Sequence, residues 1–281
     1  MQPLEHVAIY GVGLIGGSIG MAIRKRGLAR QVSGIGRDRR SLDHAVTLGA
    51  IDCGVLELSQ AVSDADLVVV CTPVHRIPEH VSQVRALCSE HCLVTDAGST
   101  KRWIVEQCEQ ESKVQGSFIG SHPLAGSDRT GVDASSADLF SDRVTVVTPT
   151  ENSNADLLSK LEGFWESLGS RVHRMQPDEH DRVLAQTSHL PHVIASVLAG
   201  STPAEALPLT ASGWADTTRV AAGDVGLWIE ILLQNRDQIL EAMEGFESQL
   251  LAHRDALRSR NAEQLTQLLT TGKQRRDAVG N

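Results

Sequence analysis

Four short segments carry side chains whose types and spacing suit chemistry. In IGSHPLAGSD, residues 119–128, His122 follows a strand pattern, precedes Pro123 and sits between Gly120 and Gly126. Glycine and proline shape the backbone there, so the imidazole is held at a defined place. A reference pKa of about 6.5 suits such a ring to general-base work at neutral pH, although a lone loop histidine is usually incidental. In TSHLPH, residues 187–192, Ser188 and His192 are four apart on one helix face, and His189 and His192 are three apart. Pro191 removes a backbone donor inside that helical pattern and kinks it. Arg219, in the small-residue stretch 212–224, is suited to clamp a carboxylate through its planar fork, or to form an ordinary surface ion pair. In DAGSTK, residues 96–101, Ser99 falls at a strand's carboxyl end, where Ser99 or Thr100 could equally cap the helix beginning near residue 102.

These groups need a scaffold, and the chain predicts an α/β one. Strand patterns fall at residues 6–10, 31–36, 66–72, 92–96, 117–121, 143–149 and 170–175, with helical patterns between them at 14–26, 76–88, 102–110 and 154–168. Such alternation predicts a Rossmann-type, mainly parallel sheet with helices on both faces. From Pro177 onward, residues 178–200, 225–253 and 262–277 read as helices without strands. The expected organisation is a dinucleotide-binding domain over 1–176 and an all-helical C-terminal domain over 177–281. The apolar spacing through 225–253 fits a helix at a two-subunit interface or one buried in a core.

The first strand–helix turn supplies the cofactor signal. Gly11, Gly13 and Gly16 form GxGxxG directly after a strand, and Leu14 and Ile15 begin the following helix. The glycines allow a tight turn and close approach to a pyrophosphate, and the helix N-terminus offers free N–H groups to it. At the end of the second strand, where an NAD site usually places an acid, the chain reads GIGRDRR. Arg37 there favours a 2′-phosphate and hence NADP; if Asp38 reaches the ribose instead, NAD would serve. Thr72 and Pro73 end a buried strand at the carboxyl edge, in contact with the cofactor or simply turning the chain.

Composition narrows the partners. With 35 acidic and 26 basic residues the formal charge is −9, which argues against nucleic acid and requires any anion site to be a local basic cluster. No apolar run long enough for a bilayer span and no leader pattern is evident, so a cytoplasmic, non-membrane protein is expected. The five cysteines show no CxxC pair and fit reduced thiols; Cys88, His91 and Cys92 lack a second ligand pair, so no metal site is expected.

Taken together, GVGLIGGS, DAGSTK, GSHPLAG, TSHLPH and the Arg219–Asp224–Trp228 spacing resemble the prephenate/arogenate dehydrogenase family over nearly the whole chain. The resemblance implies NAD(P)-linked oxidative decarboxylation of prephenate or arogenate in tyrosine biosynthesis. It assigns His122 as the catalytic histidine and Ser99 as the serine bonding near it and the substrate hydroxyl. It makes Arg219 the carboxylate-binding arginine, and Ser188, His189 and His192 the polar helix face lining the site. Trp228 aligns with a tryptophan that reaches a neighbouring subunit's site, so a homodimer through the helical domain is implied. Asp128 stands where the family often has glutamate, one methylene longer. No mutase or regulatory domain is expected within these 281 residues. Two alternatives are a hydroxyacid dehydrogenase of similar build, disfavoured because no lysine lies between residue 177 and Lys273, and a non-catalytic dinucleotide sensor.

Overall fold

A computed structural model of the chain describes residues 2–111, 116–127 and 129–280. Asp128 therefore lies outside the described residues. The chain divides into two compact units, residues 1–235 and 236–281.

The first unit opens with alternating strands and helices: β1 (Leu4–Tyr10), α1 (Leu14–Arg26), β2 (Ala29–Ile35), α2 (Arg39–Thr47), β3 (Cys53–Val55), α3 (Ser59–Val62), β4 (Leu67–Val70), α4 (Ile77–Arg85), β5 (Leu93–Asp96) and α5 (Arg102–Glu109). The strands form a parallel sheet in the order β3-β2-β1-β4-β5. Period-two alternation sends successive side chains of β1 to opposite faces. Val7 and Ile9 join a core with Ile19, Ile23 and Trp165, whereas Ala8 joins a second core with Val81 and Ile104. Both faces are thus dry, as all-parallel sheets require.

A second sheet follows, made by β6 (Gly120–Pro123), β7 (Val144–Thr148) and β8 (Arg171–Arg174), with α6 (Ala155–Ser167) between the last two. β6 runs antiparallel to β7, and β7 runs parallel to β8. The two sheets are joined by a bridge between Val94 and Phe118 and by the Ile119 N–H, which donates to the Val94 carbonyl at 3.1 Å. Asn154 caps α6 by accepting from the N–H groups of Asp156 and Leu157.

From Pro177 the unit is helical: α7 (Pro177–Leu184), a π turn (Ala185–His189), α8 (Leu190–Ser201), α9 (Ser212–Thr218), a 3-10 turn (Arg219–Ala222) and α10 (Val225–Gln234). The second unit holds α11 (Arg236–Arg258) and α12 (Ala262–Asp277).

Several expectations change. A helix absent from the expected patterns, α2, opens at Arg39–Arg40, and Asp38 caps it by accepting from the Ser41 N–H and hydroxyl at 2.8 and 2.7 Å. Three-residue β3 is too short to show alternation in sequence. The strand expected at 117–121 forms later, and His122 is inside β6 rather than beyond a strand end. The single helix expected over 225–253 stops at Gln234, where the Asn235 side chain turns to the Asp181 carbonyl and His189. The helical stretch 178–200 is broken by the π turn immediately before α8, where Pro191 lacks the N–H a continuous helix would use.

Candidate active site

At the carboxyl edge of the parallel sheet lies a cavity of about 500 Å³, lined by the Gly11–Gly13 turn, Gly36, Arg37, Thr72 and Pro73 among others. Its shape depends on glycine. Gly11 has φ +100°, and a Cβ there would sit 2.7 Å from the Cys71 carbonyl oxygen. A Cβ on Gly16 would stand 2.1 Å from the Gly11 oxygen, so α1 can approach the turn only without a side chain. At Gly13, the N-cap of α1, a Cβ would meet no atom within 4 Å. The helix N-terminus thus faces open space beside the turn, which fits a pyrophosphate. Leu14 and Ile15 do not line the cavity. The Leu14 carbonyl accepts from the Ser18 and Ser135 hydroxyls, and Ile15 packs on the core. Thr72 Oγ1 is 2.8 Å from His80 Nδ1.

The same edge carries a buried ion pair. Lys101 Nζ donates to Asp96 Oδ2, and both side chains are fully buried. Asp96 also accepts from the Gly98 N–H at 2.8 Å and the Ser121 N–H at 3.0 Å. A buried pair is tolerable when its remaining lone pairs are satisfied in this way. The Ser121 hydroxyl donates to the Asp96 carbonyl at 2.6 Å and accepts from Trp165 Nε1–H at 3.1 Å. His122 is therefore fixed by the residue before it, which is tied to the end of β5, and by Pro123 after it.

His122 Nδ1 lies 2.9 Å from His180 Nε2, and His180 Nδ1 lies 2.7 Å from Asp181 Oδ1. The Asp181 carboxylate accepts from the backbone N–H groups of Lys101 and Arg102 at 2.8 and 3.0 Å. Those two donors fix the carboxylate against the start of α5. The network assigns the tautomers: His180 donates from Nδ1 to Asp181, so its Nε2 accepts from His122 Nδ1–H. The lone pair of His122 then lies on Nε2. Burial holds the His122 pKa well below the usual range, reinforced by His180, Lys101 and His189, so the ring is neutral at pH 7.

Neither Ser99 nor Thr100 caps α5. Asp181 occupies that role, and Thr100 Oγ1 instead donates to Gln234 at 2.7 Å. Ser99 is half-buried, and its hydroxyl has no hydrogen bond among the described residues.

On the helical side, the π turn contains Ser188 and His189. His189 Nδ1 accepts from Asn235 Nδ2 at 3.0 Å, and burial lowers its pKa to about 4. His192 stacks on Trp228 with centroids 3.6 Å apart, and His189 meets the same indole edge-on at 6.2 Å. His192 Nδ1 is buried without a partner among the described residues. Ser188 is half-buried and is not joined to these rings by any hydrogen bond among the described residues. Arg219 is exposed on the 3-10 turn packed against α8, and makes no ion pair among the described residues.

Sequence reasoning missed His180, Asp181, the Asp96–Lys101 pair and Asn235. A signal existed for two of them: DEHD, residues 178–181, places a histidine among acids in the first turns of a helix. Nothing local marked Asn235.

The fold and the glycine cradle define a Rossmann-type dinucleotide-binding protein with a histidine relay at the sheet's carboxyl edge. Residues 19–174 match the model of the prephenate dehydrogenase nucleotide-binding domain, and residues 176–271 match that of the prephenate dehydrogenase dimerization domain. The chain belongs to the prephenate dehydrogenase family. It is 31% identical to prephenate dehydrogenase of Bacillus subtilis over 99% of this chain and 77% of that protein. A crystal structure of prephenate dehydrogenase from Aquifex aeolicus, in complex with hydroxyphenyl propionate and NAD+, superposes with a TM-score of 0.90 at 30% identity, covering 98% of both chains. Synechocystis arogenate dehydrogenase superposes with a TM-score of 0.83 at 28% identity, covering 98% of this chain and 99% of that one.

Proposed function

We propose that the chain oxidatively decarboxylates prephenate, in preference to arogenate, with His122 as the base. The observation that carries this reading is the His122–His180–Asp181 chain of hydrogen bonds beside the glycine cradle. A nicotinamide dinucleotide, when bound, supplies the hydride acceptor. His122 Nε2 takes the proton of the ring hydroxyl, and the imidazolium that forms keeps Nδ1–H on His180, which Asp181 polarises. Loss of the ring carboxylate as carbon dioxide leaves an aromatic phenol. Ser99, with its hydroxyl uncommitted, bonds the same substrate oxygen. Arg219, uncommitted to any acid among the described residues, receives the side-chain carboxylate. Ser188, His189, His192 and Trp228 line the substrate's other face, and Asp128 is kept as a further substrate-binding residue. The preference for prephenate is supported by the similar enzymes of Bacillus subtilis and Aquifex aeolicus, both named prephenate dehydrogenase.

Gly11, Gly13, Leu14, Ile15, Gly16, Thr72 and Pro73 form or support the dinucleotide site. Arg37 at the end of β2, with Asp38 directed onto Ser41, supports NADP over NAD. The chain acts as a homodimer. A groove of about 370 Å³ lined by Val193, Val197, Val225, Ile229 and Trp228 leaves an apolar face on α8 and α10. Val225, Ile229 and Leu233 are 71%, 52% and 68% exposed at helical spacing, as a covered stripe requires. The domain over 1–176 holds the cofactor together with His122 and Ser99, and the domain over 177–281 supplies the remaining substrate contacts and the dimer contacts. Among the described residues, no helix is long and apolar enough to cross a membrane; a cytoplasmic location without nucleic-acid partners accords with the acidic balance.

The test is a set of initial rates with prephenate and arogenate, each crossed against NADP+ and NAD+. The expected order places prephenate with NADP+ first. Failure to oxidise either substrate with either cofactor would overturn the enzyme reading in favour of a dinucleotide sensor.

A further inference from the structure

The nucleotide end of the large cavity contains four side chains that neither the relay nor the glycine turn uses: Tyr10, Arg37, Arg76 and His80. Tyr10 ends β1, and its ring stacks on that of His80 from α4 with centroids 4.3 Å apart and planes 26° apart. Thr72 holds His80 in place through its Nδ1. Burial lowers the His80 pKa, and the Arg76 cation lowers it further, so the ring is neutral at pH 7. The stacked pair is thus a flat, uncharged surface facing the cavity.

Sheet order places the two arginines on either side of it. β1 lies between β2 and β4; Arg37 follows β2, and Arg76 ends the turn Val74–Arg76 that follows β4. Both arginines line the same cavity as the Tyr10–His80 pair, one from each flank. The acids nearby are already engaged or weakly held. Asp38 accepts from Ser41, and Glu79 pairs with Arg76 at 3.3 Å in a solvent-exposed i,i+3 contact, a kind that contributes little. His75, next to Arg76, is taken by Glu230 at 2.9 Å. Arg37 has no ion pair among the described residues.

Two under-committed guanidinium groups beside a flat ring pair match one ligand chemistry: a purine nucleoside carrying a phosphate monoester on its ribose. A single arginine fork meets two of that group's three oxygens, and a second arginine from the other flank can meet the third. We infer that Arg76 is the second arm, opposite Arg37, of a clamp on the dinucleotide's 2′-phosphate, with the Tyr10–His80 pair as the surface on which adenine lies. This rests on the NADP reading above. It assigns cofactor discrimination jointly to the loops after β2 and after β4.

The test is calorimetric titration of the full-length chain with NADP+ and with NAD+, without substrate, for the wild type and for Arg37→Ala, Arg76→Ala, Tyr10→Leu and His80→Leu. Arg76 and Arg37 are at least partly exposed, so their removal leaves the fold intact. Arg76→Ala is expected to weaken NADP+ binding by about 10- to 100-fold, the loss typical of a charge-assisted contact, while NAD+ binding changes less than about twofold. Tyr10→Leu or His80→Leu is expected to weaken both cofactors by the same factor. If Arg76→Ala leaves a wild-type preference for NADP+ intact, or weakens both cofactors equally, the clamp is wrong and the NADP reading stands. A wild type that binds NAD+ at least as tightly as NADP+ overturns both. Unchanged affinities in both ring variants overturn the adenine surface.

Discussion

His122 Nδ1 and His180 Nε2 are 2.9 Å apart, and this contact decides which nitrogen of His122 carries its lone pair. Because Asp181 fixes His180 as an acceptor at Nε2, the His122 lone pair is held on the nitrogen not used by the relay. His180 is thus a positioning residue. His180→Asn keeps a donor near Asp181 but cannot reach His122. It is expected to lower kcat roughly 10- to 100-fold, within the range for impaired general-base catalysis, with little change in cofactor Kd. Because neutral His180 accepts from the Nδ1–H of the His122 imidazolium and so favours the protonated form, its removal should also move the acid limb of kcat/KM to lower pH. A pH–rate profile that does not move would reduce His180 to a packing role.

Arg219 separates binding from chemistry. Arg219→Ala should raise KM about 10- to 100-fold, with a small effect on kcat, since a carboxylate contact present in both ground and transition states is uniform binding. Its exposure and lack of an ion pair among the described residues predict an unchanged Tm. Steady-state kinetics with an unaltered KM would remove Arg219 from the site.

Acid stability reports on the buried histidines. His122, His180, His189 and His192 all have folded-state pKa values below 6.5, the His189 value being about 4. Between the folded and unfolded values the unfolded chain binds more protons, so stability is full above about pH 6.5 and falls as pH drops toward 4. Thermal melts at constant ionic strength should show Tm declining through that window. His189→Asn should flatten the decline, and an equally steep wild-type-like curve would contradict it.

The apolar stripe on α10 carries the dimer reading. Ile229→Asp, at the centre of the Val225–Ile229–Leu233 row, should convert the homodimer to monomer in light scattering after size exclusion. A wild type that is already monomeric would contradict the assignment of this face.

The parallel sheet was legible because Val and Ile runs such as Val68–Val70 alternate with amphipathic stretches, and parallel strands are buried on both faces. The glycine cradle was legible because Gly11 and Gly16 meet steric demands that any sequence with that turn must satisfy. α2 was not, since its polar RRSLDHAVT reads as loop until Asp38 is seen capping it. The break at Asn235 was also hidden, because its cause is a tertiary contact to Asp181 and His189 rather than a local helix breaker. For the same reason His122 and Ser99 could be named from their neighbours in sequence, while His180 and Asp181 could not. Their roles depend on α7 meeting the start of α5, some 80 residues away in the chain.

The most direct test of the central claim replaces His122 by asparagine, which keeps a polar group of similar size and removes the titratable nitrogen. Turnover should fall by roughly 10²- to 10⁴-fold at neutral pH, the usual cost of losing a general base, with NADP+ and NAD+ affinities unchanged by calorimetry. Turnover within a few-fold of wild type, with both affinities intact, would show that the proton leaves by another route and that His122 is not the base.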